Sequence, residues 1–587
     1  MKYNKYFKPT GSSLIVLKLF ILQKGDFKMK SQYVVLLGFL AMCISINSYT
    51  QQMYASRYSG LGDGYNVGTA VTADTSGNAY VTGYTTGMIS GHDITTIKYN
   101  PIGRLLWSAT YDGDGGSTDE AYAIVKDALN NIYVTGASVG SGTDKDMVII
   151  KYDPTGAQKW VRRYTSSGSH PDVSSAITID ASGNPIIAGY SYVNGGNAVT
   201  VIKYDPSGNQ LWVRTGDGTS NTNVANAITV DNSSNIYVTG YTLPPGQNTY
   251  KLLMTLKYNP SGTRQWVSTS NGDCTNQDGE ACSIVNDGSG NSFITGYIVT
   301  ASQGKDYLTV KYNSSGAQQW LKTYNNAAAN SDDIARKIVY PNGDVVVTGS
   351  SKSSAAAGSE DYLTVKYRGS DGNQQFALRY DDPLAHSTDI AYSVTKFGNN
   401  LFYITGSSVK SNVAGGEDMF TMVINGSGTV LTTYRVANPG PDCAYDVATD
   451  KYGNIYVAGF LGGSPEPTHN VMCDMACVKF GFGVPAANLT SVTNLESAIP
   501  NSFSLYQNYP NPFNPSTTIR FDVSQASNVK IAVYDLLGRE VLAPVNEFKN
   551  PGSYEVTFSL NSLASGVYFY KMTAGNYTDI RKMTFTK

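Results

Sequence analysis

A short motif recurs along this 587-residue chain at a nearly constant interval. A Thr-Gly or Ala-Gly pair ends a run of strand-forming residues eight times, at intervals of 51–57 residues. The glycines of these pairs are Gly83, Gly136, Gly189, Gly240, Gly296, Gly349, Gly406 and Gly459. Repetition at a fixed period of this length indicates an array of equal structural units.

Aromatic residues mark the same period. A Lys-Tyr pair recurs, with its tyrosine at Tyr99, Tyr152, Tyr204, Tyr258, Tyr312 and Tyr367. All five tryptophans follow these pairs, at Trp107, Trp160, Trp212, Trp266 and Trp320, and Phe376 takes the sixth place. The eighth copy has Lys479-Phe480 at the pair, and the seventh has Val423-Ile424. Aromatic residues at a fixed spacing predict packing between neighbouring units.

Each unit reads as four short strands. Examples are the second strand of one copy at 235–240 and the third strand of another at 306–312. Turns rich in Asp, Ser, Gly and Asn separate the strands, and the absence of a 3.6-residue periodicity excludes stacked helical repeats. The pattern predicts an all-β chain in which residues 51–482 form an eight-bladed β-propeller with four-stranded blades.

The two ends of the array fit each other. Residues 54–58 match a fourth strand that precedes the first complete copy, and the last copy ends at Phe480 without a fourth strand. We expect residues 54–58 to pair beside residues 474–480, so that the N-terminal strand closes the last blade and removes two free edges.

Loop lengths distinguish the two faces of the predicted ring. The turns between strands 1 and 2 and between strands 3 and 4 are short and nearly constant. The 2–3 and 4–1 connections vary, and strand alternation places both on one face. Variable loops on a rigid scaffold are where binding usually occurs, so this face is the candidate functional surface.

Composition and the N-terminus indicate an exported protein. The net charge of −2, without a basic block, argues against a nucleic-acid partner. Residues 1–50 read as an N-terminal extension with a signal peptide at 29–50. Lys28 and Lys30 precede an apolar run at 33–46. That run is too short for a transmembrane span. The competing interpretation is a lipoprotein signal that ends at Cys43.

The repeat consensus Gly-Asn-x-Tyr-Val-Thr-Gly, Asp-x-x-Thr-x-Lys-Tyr and Asn-Pro-x-Gly-x-x-x-Trp resembles the SBBP β-propeller repeats of bacterial surface proteins. The resemblance covers about residues 54–480. It implies the fold and no particular activity, since that family has no common one. Copies seven and eight depart from the pattern by losing the tryptophan.

The C-terminal residues 501–587 resemble the type A sorting domain of the type IX secretion system of Bacteroidetes-like bacteria. The resemblance implies an Ig-like β-sandwich, passage across the outer membrane, and removal by a sortase with release or surface attachment. Residues 483–500 are interpreted as a linker. The motif residues that carry the resemblance are Asn508, Pro510, Asn511, Pro512, Phe513, Pro515, Gly538, Arg539, Gly566, Tyr568 and Lys582.

The search for chemistry predicts no catalytic residue, no cofactor and no metal site. The four histidines, His92, His170, His386 and His469, lie in variable loops of different repeats. Cys473 and Cys477 lack further partners at metal-ligand spacing. The pairing of the mature-chain cysteines stays open; they are Cys274, Cys282, Cys443, Cys473 and Cys477.

Acidic residues offer the weak binding candidates. Aspartates recur at the start of the third strand, at Asp93, Asp146, Asp306, Asp361, Asp418 and Asp474. They are interpreted either as caps of Asx-type turns or as a ring of carboxylates that binds cations or sugars. Residues 112–116, with Asp112 and Asp114, together with Asp119, are a candidate calcium loop, although the ligand spacing of an EF-hand is missing.

Two functions remain open after the sequence analysis. The first is a non-enzymatic surface or secreted module for adhesion or for binding a glycan or protein. The second is a glycan-active hydrolase or lyase that uses carboxylates in the propeller funnel. A purely structural cell-envelope component is a more distant third.

Overall fold

The computed structural model describes residues 52–586 with short gaps, all within the unit Thr50–Lys587. The gaps are 61, 63, 88–90, 167–168, 217–221, 244–249, 271–277, 301–303, 327–331, 353–359, 383–387, 410–415, 439, 463–472, 482–489, 495–499, 501, 515, 537, 550 and 560–563. The described residues contain strands and turns but no helix, and so none that could cross a membrane. The predicted signal peptide lies outside them.

Ten four-stranded antiparallel sheets form in the described residues, eight of them between residues 52 and 480. The strands of sheets 1–4 are β2 Val67–Ala73, β3 Ala79–Thr86, β4 His92–Tyr99, β5 Leu105–Tyr111; β6 Asp119–Lys126, β7 Ile132–Val139, β8 Lys145–Tyr152, β9 Gln158–Tyr164; β10 Val173–Ile179, β11 Pro185–Val193, β12 Gly196–Tyr204, β13 Gln210–Thr215; β14 Asn223–Val230, β15 Ile236–Thr242, β16 Leu252–Tyr258 and β17 Arg264–Ser270. The strands of sheets 5–8 are β18 Gly279–Asn286, β19 Ser292–Thr300, β20 Gly304–Tyr312, β21 Gln318–Tyr324; β22 Asp333–Val339, β23 Asp344–Lys352, β24 Glu360–Arg368, β25 Gln374–Tyr380; β26 Asp389–Phe397, β27 Leu401–Val409, β28 Glu417–Asn425, β29 Val430–Val436; β30 Cys443–Thr449, β31 Ile455–Gly462, β32 Cys473–Phe480 and β1 Gln52–Tyr58.

The eight sheets follow one another in a closed cycle. In sheets 1–7 the strands lie in chain order, with the first strand at one edge, and in sheet 8 the order is β30-β31-β32-β1. Each first strand contacts the first strands of the two neighbouring sheets, and β2 of sheet 1 contacts β30 of sheet 8. The first strands therefore form the inner wall of the cycle, and the fourth strands lie outside.

The N-terminal strand completes sheet 8. Strand β1 pairs antiparallel with β32, with Ser56 opposite Cys477 and Tyr58 opposite Met475. The predicted pairing of residues 54–58 with residues 474–480 is confirmed. Among the described strands, β1 therefore has its only sheet partner in the last repeat, and the last repeat obtains its fourth strand from β1.

The short hairpin turns follow from an aspartate and a glycine. In sheet 3, Asp180 Oδ1 accepts the backbone N–H groups of Ser182 and Asn184 at 2.9 and 3.0 Å. Gly183 adopts φ +81°, a conformation that glycine reaches without the steric cost of a Cβ atom. The 1–2 and 3–4 turns of most sheets repeat this arrangement with Asp or Asn as the first residue.

Neighbouring sheets are joined by what we call the Trp–turn contact. The indole of Trp160 in sheet 2 covers Gly208 in the 3–4 turn of sheet 3, and its Nε1 donates to the Pro206 carbonyl at 3.2 Å. Lys151, from the Lys-Tyr pair, donates to the same carbonyl at 2.7 Å. One carbonyl thus accepts from both repeat markers, which explains why they share one period.

The same contact explains the degenerate copies. Tyr54 of β1 covers Gly103 of sheet 1, and Lys479 donates to the Pro101 carbonyl at 3.0 Å, so the contact also joins sheet 8 to sheet 1. Sheet 8 has no 3–4 turn, because its fourth strand is β1. Sheet 7 therefore has no turn to cover, and the place of the tryptophan is taken by Thr432 opposite Val423.

The C-terminal residues form the two remaining sheets. One sheet contains β33 Thr490–Asn494, β34 Ser504–Leu505, β35 Ser516–Val523 and β38 Gly552–Ser559. The other contains β36 Ser527–Tyr534, β37 Glu540–Lys549, β39 Gly566–Ala574 and β40 Tyr577–Phe585. Both contribute to one hydrophobic core, which includes Ile519 and Phe521 from the first sheet and Ile531 and Met572 from the second.

The sequence pattern of the tail predicts strands at 518–523, 528–534, 553–559 and 566–573, which correspond to β35, β36, β38 and β39. The other four strands, β33, β34, β37 and β40, were not predicted. Strand β33 lies inside the predicted linker 483–500, where it pairs at the edge of β38 without an alternating sequence pattern. Strand β37 was not predicted, because register shifts in its pairing with β36 interrupt the alternation of apolar and polar residues. In strand β40 only Met583 and Phe585 are buried, so the strand has no alternation of apolar and polar residues over most of its length.

Candidate functional site

Four of the six predicted binding aspartates are neutralised inside their own sheets. The carboxylates at the start of the third strand pair with arginines of the fourth strand, which the sequence reading did not anticipate. The pairs are Asp146–Arg163 at 2.7 Å, Asp361–Arg379 at 2.8 Å, Asp418–Arg435 at 2.9 Å and Asp474–Arg57 at 3.3 Å. These aspartates are buried, and each ion pair joins the third strand of its sheet to the fourth.

The two other aspartates, Asp93 and Asp306, form no ion pair with an arginine among the described residues. Asp306 accepts a hydrogen bond from Thr300 Oγ1 at 2.9 Å, and burial raises its pKa. Asp93 lies with Asp112 and Asp119, so that one carboxylate oxygen of each is within 4.8 Å of the others. Burial and the two neighbouring carboxylates raise the pKa of Asp93 to about 6.

The cluster of Asp93, Asp112 and Asp119 includes two of the three aspartates of the predicted calcium loop. Three carboxylate oxygens are the donor type that hard cations such as calcium prefer. Asp114 is not part of the cluster. The described residues contain one more cluster of the same size, formed by Asp361, Asp381 and Asp389.

A second set of aspartates, at the start of the first strand, was missed. Asp442 accepts the backbone N–H groups of Asn438 and Gly462 at 2.8 and 2.7 Å, and Asp172 accepts those of Ser166 and Tyr192 at 2.6 and 3.1 Å. These carboxylates fix the start of the first strand to the end of the second. The signal in the sequence is an Asp two residues before a small residue, repeated with the period of the array.

A β-bulge occurs at the same place in every first strand. One residue near the start of the strand is left without a partner on the second strand. Bulges re-aim a side chain and often lie beside functional sites. The eight bulged residues are called the bulge ring, and they are Thr69, Tyr122, Ser175, Asn226, Cys282, Arg336, Tyr392 and Tyr445.

The bulge ring lies on the inner wall, at the end of the first strands that follows the variable 4–1 connections. Its side chains reach between sheets: Thr69 Oγ1 donates to the Ala121 carbonyl at 2.7 Å, and Ser175 Oγ donates to the Ala225 carbonyl at 2.8 Å. Half-buried tyrosines of the second strands stand beside it at the same end, at Tyr84, Tyr190, Tyr241 and Tyr297. This end of the inner wall is rich in hydroxyl groups and aromatic faces.

Two glutamates anchor polar networks in this region. Glu120 accepts hydrogen bonds from Tyr122 at 2.7 Å and Lys145 at 2.9 Å, and it lies 3.2 Å from His92 Nδ1. Burial acts to raise the pKa of Glu120, but these three groups outweigh it and lower the pKa below its usual value. Glu120 is therefore ionised at neutral pH.

Glu280 has a similar environment on the other side of the cycle. It accepts from Lys251 at 2.9 Å, Tyr297 at 3.1 Å and Asn226 at 2.9 Å. Its carboxylate is fully engaged by these donors. These hydrogen bonds fix the positions of the three donor side chains.

Two of the four histidines lie in the described residues, and the prediction that they lie in variable loops is wrong for His92, which begins β4. His92 stacks on Tyr84 with ring centroids 4.2 Å apart, and His170 stacks on Tyr192 at 3.7 Å. His386 and His469 lie outside the described residues, as does Cys274. The sequence reading of His92 as a solvated loop residue missed its contact with Glu120, because the two belong to different repeats.

The described cysteines are free thiols. Burial raises the pKa of Cys282, Cys443 and Cys477 to about 12 and that of Cys473 to about 11. These side chains are therefore neutral at physiological pH. A neutral thiol is a poor nucleophile, because the thiolate is the reactive form.

The motif that opens the C-terminal domain attaches to the last strand. Asn511 Oδ1 accepts the backbone N–H of Thr584 at 2.9 Å, and the backbone of Phe513 exchanges hydrogen bonds with residues 584 and 586. Asn508 is buried and donates to the Pro510 carbonyl and Thr517 Oγ1. Peptide bonds 509–510 and 511–512 are cis.

The other motif residues shape turns and strand ends. Gly538 adopts φ +75° in a turn closed by Arg539, whose backbone N–H and Nε both donate to Asp535. Gly566 begins β39, and Tyr568 donates to the Ala564 carbonyl at 2.8 Å. The Lys582 carbonyl accepts from Gln507 at 2.7 Å. Pro515 lies outside the described residues.

Comparisons with solved structures return proteins of low sequence identity. A periplasmic gluconolactonase of Pseudomonas aeruginosa has a TM-score of 0.38 at 12% identity, covering 62% of this chain and 97% of that one. A polysaccharide lyase has a TM-score of 0.36 at 11% identity, covering 70% of this chain and 89% of that one. A puromycin hydrolase has a TM-score of 0.35 at 11% identity, with coverage of 64% and 51%. None of them assigns an activity to this chain.

A family comparison identifies the tail. No curated protein matches the chain significantly. Residues 507–586 match the family model described as the secretion system C-terminal sorting domain. The C-terminal part of the chain is therefore a sorting domain of the type IX secretion system, which indicates export to the cell surface or the medium.

Proposed function

We propose that the chain is a non-enzymatic eight-bladed β-propeller of the SBBP type, exported to bind a glycan or a protein, as in adhesion. The tail is an Ig-like sandwich that the type IX machinery recognises and its sortase removes. The mature propeller is then released or attached to the surface. No nucleic acid, cofactor or transmembrane span takes part in this function.

The observation that carries the proposal is the bulge ring with its surrounding tyrosines. Tyrosine offers a large apolar face and a hydroxyl group, which suits recognition of ligands that are both ringed and polar. Tyr190 and Tyr241 lie on the second strands of neighbouring sheets. Burial raises the pKa of Tyr190, and the nearby Tyr241 adds to this rise. They offer a ligand adjacent surfaces on the inner wall.

A binding screen on the full chain tests the proposal. The variant Tyr190→Ser/Tyr241→Ser removes two aromatic faces of this region. Tyr452→Ser is the matched control, because Tyr452 is 59% exposed in the 1–2 turn of sheet 8, at the opposite end of the strands. We expect a glycan or protein ligand whose affinity falls at least tenfold in the double variant and not in the control. Equal affinity in both variants would contradict the proposal.

The second candidate is a glycan-active hydrolase or lyase. It is favoured by the group around Glu120, because the neighbouring Asp93 has a pKa of about 6, suited to proton transfer near neutral pH. His92 and Tyr122 both contact Glu120 in the same region. Release of new reducing ends or unsaturated sugars by the full chain, abolished in His92→Ala, would favour this candidate over a binding module.

A further inference from the structure

One cation of the bulge ring has no acidic partner. Arg336 forms no ion pair among the described residues, and its buried Nε has no hydrogen-bond acceptor. In contrast, the fourth-strand arginines Arg163, Arg379 and Arg435 each pair with an aspartate. Arg336 is also the one charged member of the bulge ring.

The surroundings of Arg336 leave its charge uncompensated. Its guanidinium lies 5.2 Å from the ring centre of Tyr392, which in turn lies 5.4 Å from that of Tyr445. The nearby thiols of Cys282 and Cys443 are neutral, because burial raises the pKa of each to about 12.

The carboxylates of this region do not neutralise it. Glu280 is engaged by Lys251, Tyr297 and Asn226, and Glu417 is exposed at the start of β28. The described acidic residues before the bulges of sheets 6 and 7 have other partners. Asp332 and Asp333 accept the backbone N–H groups of Lys305 and Asn326 at 3.0 and 2.8 Å, and Asp382 pairs with Arg435.

We propose that Arg336, with Tyr392 and Tyr445, forms a subsite for the carboxylate group of an acidic saccharide. A guanidinium binds a carboxylate through two parallel, charge-assisted hydrogen bonds, and a partly buried cation without a partner favours an incoming anion. The two tyrosine rings supply faces against which a sugar ring packs. The inference rests on the proposed binding function and adds the chemical class of the ligand.

A saccharide fits this surface better than a peptide strand does. Peptides bind sheets by adding a strand to an edge with free backbone groups. On the inner wall, the carbonyls of Ala121, Ala225 and Ala281 already accept hydrogen bonds from Thr69, Ser175 and Asn226. The side chains of the ring thus occupy backbone acceptors that an added strand would need.

Calorimetry with matched oligosaccharides tests the inference on the full chain. The probes are an oligogalacturonate and the same oligosaccharide with its C6 carboxylates reduced to alcohols, so that the two differ only at C6. Arg336→Gln should weaken oligogalacturonate binding at least tenfold, and Arg336→Lys should weaken it less, because charge is kept and the planar fork is lost. Lys337→Gln, which removes an exposed charge from the adjacent residue, should change the affinity less than threefold.

The outcomes separate this inference from the binding function. Equal affinity of the wild-type chain for the two probes, absence of oligogalacturonate binding, or an equal effect of Arg336→Gln and Lys337→Gln overturns it. If a neutral glycan still binds and Tyr190→Ser/Tyr241→Ser weakens that binding, the binding function stands while the acidic subsite fails. Preferential binding of poly-glutamate would assign the subsite to an acidic peptide and also overturn it.

Discussion

The Trp–turn contact can be measured with two glycine substitutions in the same sheet. Gly208 and Gly183 have similar positive φ values, +86° and +81°, in the 3–4 and 1–2 turns of sheet 3. A Cβ atom at Gly208 would lie 2.8 Å from Trp160 Cδ2, whereas one at Gly183 meets nothing nearer than Pro206 Cγ at 3.9 Å. The pair therefore separates backbone strain from loss of the contact.

The structure gives the expected magnitudes. Each Gly→Ala change imposes backbone strain of about 1–2 kcal/mol, because an L-residue is disfavoured at this φ. Gly208→Ala also displaces the indole of Trp160, which is 9% exposed, and breaks its hydrogen bond to Pro206. The bond contributes about 1 kcal/mol, and partial exposure of the indole adds about 1–2 kcal/mol. We expect Gly208→Ala to destabilise by about 2–3 kcal/mol more than Gly183→Ala.

Equilibrium urea unfolding of the full chain, followed by tryptophan fluorescence and circular dichroism, measures the difference. The two probes should report the same transition for the repeat array. In a Trp160→Ala background, Gly208→Ala should cost no more than Gly183→Ala, because no indole remains to be displaced. Equal destabilisation by the two substitutions in the wild-type background would refute the reasoning.

Three further outcomes follow from the structure. Burial and neighbouring carboxylates raise the pKa of Asp389 to about 6 in the folded state, against about 3.9 in the unfolded state, so stability should fall as the pH rises from about 4 to 6. Asp389→Asn should remove this fall and raise the free energy of unfolding at pH 7 by about 2–3 kcal/mol. An unchanged urea midpoint at pH 7 would contradict this. Deletion of 501–587 should retain the chain inside the cell envelope in a fractionation, and unchanged surface delivery would contradict the sorting assignment. Iodoacetamide should label the buried thiols Cys443, Cys473 and Cys477 only in urea, since burial raises the pKa of Cys443 and Cys477 to about 12 and that of Cys473 to about 11; rapid labelling of these three residues in the native chain would count against their burial.

Most of the fold of residues 52–480 could be predicted from the sequence repeat. The repeat period, the number of strands in each sheet and the pairing of residues 54–58 could be predicted because each depends on a local pattern. These patterns are the alternation of residues along a strand, the Asp-Gly turns and the missing fourth strand of the last repeat. The loss of Trp in the seventh copy looked like degeneracy. It follows instead from the absence of a 3–4 turn in sheet 8, which becomes visible once β1 is placed as its fourth strand.

The candidate site was less predictable because its contacts join residues on different strands or in different repeats. The pairing of Asp146 with Arg163 joins a third and a fourth strand of one sheet, and the contact of His92 with Glu120 joins two sheets. The bulge ring has no residue type in common, so no motif marks Arg336 or Tyr392. A bulge leaves its trace in register, which requires the partner strand to be known.

The inner wall exists only if the chain closes on itself, and a single disulfide tests that closure. Ser56 lies opposite the free thiol Cys477 across the β1–β32 pair. Directly opposed residues of antiparallel strands have Cα atoms about 4.5–5.5 Å apart, within the disulfide range of about 4.4–6.8 Å. Ala55→Cys is the control, because its side chain points to the other face of the strand.

We predict that Ser56→Cys forms a disulfide with Cys477 when the full chain is oxidised, identified by mass spectrometry as a linked pair of tryptic peptides, and that Ala55→Cys does not. Absence of the link in Ser56→Cys, or an equal yield from Ala55→Cys, would contradict the closed ring.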